Sequence, residues 1–147
     1  MKRLCALLCL ACLSTCDNSP NSSSMDQSKI QVLSIIPANN GFIADTGAIQ
    51  ACLQYHVAED RVSSYGYSIM IELEPADGNG FTVTSTEILY VTKANDTIVF
   101  RYPLSNVKEF TGLKYPLTCR FWLERQTGDG INGFIANTGE YAFYYNR

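Results

Sequence analysis

Residues 65–73 read YGYSIMIEL and residues 115–124 read YPLTCRFWLE, and these two stretches decide the class of fold. In the first, Tyr65, Tyr67, Ile69, Ile71 and Leu73 alternate with small or polar residues; in the second, Tyr115, Leu117, Cys119, Phe121 and Leu123 do the same. A period of two puts each set on one side of an extended chain, which is the pattern of a half-buried β-strand. Outward from these lie KIQVLSII (29–36), AIQACLQYHV (48–57), FTVTSTEILYVT (81–92), DTIVFRYPL (96–104) and EYAFYYN (140–146). All are rich in β-branched and aromatic residues and bounded by Gly, Pro, Asn or Asp. ADGNGF (76–81) supplies hairpin chemistry, and NVKEFTGL (106–113) carries Val107, Phe110 and Leu113 at a spacing that allows one helical turn. No longer stretch has a helical period. About seven strands with one apolar face each predict an all-β fold of two packed antiparallel sheets.

The N-terminus has a different composition. Lys2 and Arg3 precede an apolar run from Leu4 to Leu13, the pattern of a secretory signal peptide. That run is short of the roughly 20 residues a membrane-spanning helix needs. Leu13-Ser14-Thr15-Cys16 resembles the lipobox of bacterial lipoproteins, although Thr15 is larger than the usual residue before the cysteine. The resemblance implies cleavage before Cys16 and lipid attachment to its sulfur, with Cys12 a second candidate. Residues 17–28, DNSPNSSSMDQS, are polar and free of aromatics, and as a flexible tether they would reach on the order of 20 Å. The expected organisation is therefore a leader at 1–15, a lipidated cysteine and tether at 16–28, and one domain at 29–147. Without Lys2 and Arg3, 9 basic residues face 14 acidic ones, a net charge near −5. Nucleic acid and anionic lipid are poor partners for such a chain.

VLSIIPANNG (32–41) followed by GAIQACLQYHV (47–57) resembles the opening of bacterial Ig-like domains. LKYPLTCRFWLERQTGDGIN (113–132) resembles their penultimate strand and the Gly-rich loop after it. The resemblance implies an Ig-like antiparallel β-sandwich and is nearly silent on function.

FIADTGA (42–48) contains the Asp-Thr-Gly of aspartic proteases, and FIANTGE (134–140) is a near copy. Aspartic proteolysis needs two carboxylates sharing a proton, and the second copy offers Asn137. A homodimer in which each subunit gives Asp45 is the remaining catalytic reading. The matching unit is the octamer NGFIADTG (40–47) against NGFIANTG (132–139), and the flanks do not match. Asn-Gly accepts a positive φ, and Asp and Asn both offer the oxygen an Asx-turn needs, so both copies are expected to be turns leading into strands.

Once the leader and Cys16 are set aside, Cys52 and Cys119 remain. They invite comparison with the Ig inter-sheet disulfide, but the phase of the strands opposes it. Cys119 shares the inward face of its strand, whereas Cys52 shares the outward face with Gln50, Gln54 and His56. His56, the only histidine, has no second His or Cys at metal-ligand spacing, and no metal or other cofactor is expected. Asp77, Asn79, Asp129 and Asn132 sit in Gly-rich loops without the spacing of an EF-hand. Trp122 and Tyr144 should point outward from adjacent strands near Arg120 and Met70, forming a candidate binding patch for a protein or a glycan. Two amphipathic rings covering a small sheet would give the same pattern.

The expected function is that of a non-catalytic binding or structural module of a bacterial cell envelope, held to a membrane through its N-terminal lipid. The alternatives are an envelope inhibitor of a protease or other hydrolase, using loops such as 126–139, and a dimeric aspartic protease using Asp45.

Overall fold

The computed structural model describes residues 27–58, 66–78, 83–84, 89–107, 113–126 and 132–146. Cys16, Tyr65, Asn79, Phe110 and Asp129 lie outside them. The strands are β1 (Lys29–Ile36), β2 (Gly41–Ile43), β3 (Ala48–His56), β4 (Tyr67–Pro75), β5 (Val83–Thr84), β6 (Leu89–Val91), β7 (Asn95–Pro103), β8 (Leu117–Gln126), β9 (Asn132–Asn137) and β10 (Tyr141–Tyr145). One sheet has the order β1-β3-β7. The other runs β2-β10-β8-β4-β5, with β6 also on β4 and β9 also on β8. This is the two-sheet, all-β sandwich expected from the sequence, and among the described residues every pairing is antiparallel except β2 with β10.

The strands with the cleanest alternation lie side by side. β4 and β8 pair from Tyr67↔Arg125 to Pro75↔Leu117, which brings Ile69, Ile71 and Leu73 beside Leu123, Phe121 and Cys119 on the inner face. All six are buried. The smaller sheet faces them with Ile49, Ala51, Leu53 and Tyr55 of β3 and Phe100 and Tyr102 of β7. Phe100 meets Phe121 across the sandwich edge to face, with centroids 5.6 Å apart, a geometry worth about 0.5–1.5 kcal/mol beyond the area buried.

More than seven strands result because β2 and β9 lie where a turn and a loop were expected, and the segment predicted at 81–92 holds two strands. Within that segment, β5 and β6 both lie on one edge of β4, with Glu72 opposite Thr84 and Ile69 opposite Leu89. In β1 a bulge between Val32 and Ser34 turns Leu33 to solvent and moves the inward set from Ile30 and Val32 to Ile35. β9 and β10 lie on the same edge of β8. Leu104 and Val107, both buried, bracket the short helical turn after β7, with the Val107 amide donating to the Leu104 carbonyl at 3.0 Å.

The two octamers differ in structure. In the first, Asn40 takes φ 63° and Gly41 lies where a Cβ would be 2.7 Å from the Ala38 carbonyl oxygen, so Asn-Gly makes the turn as expected. The turn carries the chain out of the smaller sheet and into β2, parallel to β10. Asn39 Oδ1 accepts the Ala142 amide and Asn40 donates to the Ala142 carbonyl, both at 2.8 Å. In the second copy, residues 132–137 are strand β9, opposite Gln126 to Trp122, with a register shift at Ile135. The expectation that both copies form the same turn is thus corrected: tertiary partners decide what the octamer becomes.

The sandwich has two distinct poles. The chain enters at the near pole, where Lys29 lies opposite His56 and His56 opposite Asn95. β1 rises about 23 Å over its eight residues to the far pole, at roughly 3.3 Å per residue. There lie the turn at 44–47, the start of β8 and the end of β10.

Candidate functional site

The predicted patch of Trp122, Tyr144, Arg120 and Met70 divides in two. On the outer face of the larger sheet, Trp122 lies directly opposite Met70. Its ring packs against Phe134 with centroids 4.7 Å apart, and the Arg120 guanidinium sits 5.6 Å from its centroid. The indole N–H donates to Glu72, and Arg120 also pairs with Glu140. Trp122 is therefore held by its neighbours, with Phe134 left 59% exposed at the rim. Met70 faces outward but is buried, which corrects its place in an exposed patch.

Tyr144 is elsewhere. Its neighbour Phe143 pairs with Leu117, five residues along β8 from Trp122, a separation of about 17 Å. Tyr144 belongs to the far pole, where it lies opposite Phe42 of β2. The two rings are 6.1 Å apart and inclined at 49°. Phe42 is 66%, Tyr144 40% and Tyr145 44% exposed. Tyr145 lies on the opposite face of β10 from Tyr144, across from Ile43, and leans on Tyr115 with centroids 5.1 Å apart. Asn39, Asn40 and Asn146, next to these strands in sequence, are exposed. The chain thus builds an aromatic corner from Phe42 and Tyr144 with exposed Asn residues flanking its strands.

Asp45 lies beside this corner, in the turn closed by the Gly47 amide donating to the Ala44 carbonyl at 2.7 Å. Its Oδ1 accepts the Tyr115 hydroxyl at 3.1 Å. Burial first, and the Asp45 carboxylate second, push the Tyr115 hydroxyl well above its ordinary value. The bond ties the β2–β3 turn to the start of β8. Its partner in the near repeat, Asn137, is exposed and pairs with Trp122.

The possible Cys52–Cys119 bridge is not formed. Both thiols are free, with Cys52 on the outer face of β3 and Cys119 on the inner face of β8. Ala51 and Leu53 occupy the inward positions beside Cys52. Burial pushes the Cys119 thiol up to about 12.

The outer face of the smaller sheet carries an open polar depression of about 480 Å³ at the near pole, lined by Lys29, Gln31, Gln54, His56, Asn95 and Thr97 among others. Gln31 donates to Gln54 at 2.6 Å, and His56 Nδ1 hydrogen-bonds Asn95 Oδ1. These side chains largely satisfy one another. Among the described residues, no three His, Cys, Asp or Glu side chains gather at a spacing that would hold a metal ion. No helix among them is long and apolar enough to cross a membrane.

Several site residues escaped the sequence. Of the apolar pair Phe42-Ile43, only Ile43 is buried, and Phe42 is exposed. The loop expected over 126–139 contains β9. Ser68 and Glu124 face outward by parity but are buried, with Ser68 donating to Glu124 at 3.3 Å and Gln126 donating to Ser68 at 2.6 Å. Strand parity alone gave no signal for that burial. Comparison with known proteins adds nothing to this geometry, since no protein-family model and no curated protein matches the chain.

Proposed function

We propose that this protein is a non-catalytic binding module of a bacterial cell envelope, tethered through lipid on Cys16 and binding through the aromatic corner of Phe42 and Tyr144. The observation that carries the reading is the position of that corner. Both rings are exposed at the pole opposite the one where the chain enters β1. A tether of about 20 Å and a strand β1 about 23 Å long would hold the corner away from the lipid surface. Rigid strands present the rings, so little order is lost on binding. The Asp45 carboxylate supports the reading from another side, because its bond to Tyr115 gives it a role in building the corner.

The test uses the full chain with Cys16→Ala, which removes the anchor and leaves the domain. This protein should sediment with isolated cell envelopes, and Phe42→Ala/Tyr144→Ala should abolish that. Sedimentation unchanged in the double variant contradicts the reading. Labelling with a palmitate analogue, present in wild type and absent from Cys16→Ala, checks the anchor separately.

A further inference from the structure

Resting on the binding reading above, we infer that the far-pole corner takes a neutral saccharide chain, built from pyranose rings whose equatorial substituents leave flat C–H faces. Three properties of the corner select that chemistry. The first is area. An aromatic side chain carries about 150–250 Å², so the exposed fractions of Phe42 and Tyr144, which share one face, amount to roughly 200 Å². A stable protein interface takes about 800 Å² from each partner, whereas a few sugar rings fit the smaller patch.

The second is ring arrangement. Phe42 and Tyr144 are cross-strand partners inclined at 49° with centroids 6.1 Å apart. They form a shallow V, in which a pyranose can lay its C–H face on one ring while the other borders its edge. Their positions are fixed by the β2–β10 pairing and by Asn39 and Asn40, which clamp Ala142 at 2.8 Å. The platform is therefore preformed.

The third is the polar margin. Exposed Asn40 and Asn146 offer amide donors and acceptors, and Asn39, whose Oδ1 is held by Ala142, offers its amide donors; these match hydroxyl groups and carry no charge. A polyanionic chain would meet a mature protein of net charge near −5 and be repelled. The Trp122 cluster lacks these properties, because its indole N–H is bound to Glu72 and its ring is packed by Phe134 and Arg120.

The experiment is calorimetric titration of the full-length protein in detergent with three probes: cellohexaose, the N-acetylglucosamine hexamer and a galacturonate hexamer. At least one neutral hexamer should bind, and the galacturonate should bind at least tenfold more weakly. Phe42→Ala/Tyr144→Ala should lose tenfold or more, while Trp122→Ala stays within twofold. Unchanged thermal melting establishes that the exposed-site variants fold. Phe42→Trp should keep the platform and report binding by a fluorescence shift. No binding of either neutral hexamer up to 10 mM, or binding that survives the double variant, overturns the inference. If envelopes still capture the protein through the corner while neither hexamer binds, the ligand class falls and the binding reading stands. If both fail, both fall.

Discussion

The hydroxyl of Thr138 stands where a backbone carbonyl of the ladder would, accepting the Phe121 amide at 3.1 Å while the Thr138 amide donates to the Phe121 carbonyl at 3.0 Å. The same hydroxyl donates to the Gly139 carbonyl at 2.8 Å. One buried side chain thus carries the edge of β8 across the break between β9 and β10. Thr138→Val leaves the Phe121 amide without its acceptor and should cost about 1–3 kcal/mol in urea unfolding. Thr138→Ser keeps the hydroxyl and should recover most of that loss.

Asp45 and Asn differ in acid-base chemistry and agree in having an Oδ1 acceptor. Asp45→Asn should therefore keep the Tyr115 bond and stay within about 1 kcal/mol of wild type, whereas Asp45→Ala should lose about 1–2 kcal/mol. Tyr115→Phe should resemble Asp45→Ala. A peptide-cleaving activity lost in Asp45→Asn would restore the protease reading.

The two cysteines should be chemically distinct. Cys52 is half-buried on the outer face and should react with a thiol reagent in the native protein, whereas buried Cys119 should react only after unfolding. Cys119, Tyr115 and Tyr141 are all raised, in each case first by burial. Above their ordinary values, the unfolded chain gives up protons that the folded chain keeps, so stability falls as pH rises. For Cys119 the window runs from about pH 9 to about 12. Urea midpoints should decline through it, and Cys119→Ala should make the decline shallower.

At the near pole, hydrogen bonds from Lys93 and then from the Thr97 amide hold the Asp96 carboxyl below its ordinary value. The contribution is present above the unfolded value and is lost as pH falls through the folded one. Lys93→Ala should raise the Asp96 midpoint in an NMR titration, and added salt should narrow the difference.

Much of the fold was legible because it is local. The inward sets of β3, β4 and β8 follow from alternation alone, and the same phase argument separated Cys52 from Cys119. The missing parts depend on distant partners. β2 is three residues long and exists through pairing with β10, about a hundred residues away in sequence. The bulge at Leu33 breaks the alternation that would have identified β1 more clearly. For the candidate site, parity correctly sent Trp122 and Tyr144 outward, but only the β8–β10 register sets their separation along the sheet. Parity also left Met70 exposed, whereas its position opposite Trp122 is buried.

The central claim is that the far-pole corner is the part of the protein that meets its partner. Photo-crosslinking amino acids placed at Phe42 and, in a second strain, at Val99 test it most directly, since Val99 is comparably exposed on the outer face of the smaller sheet. Position 42 should yield a discrete adduct in intact cells, diminished by Tyr144→Ala, and position 99 should yield none. Equal adducts from both positions, or an adduct from 99 alone, would contradict the account.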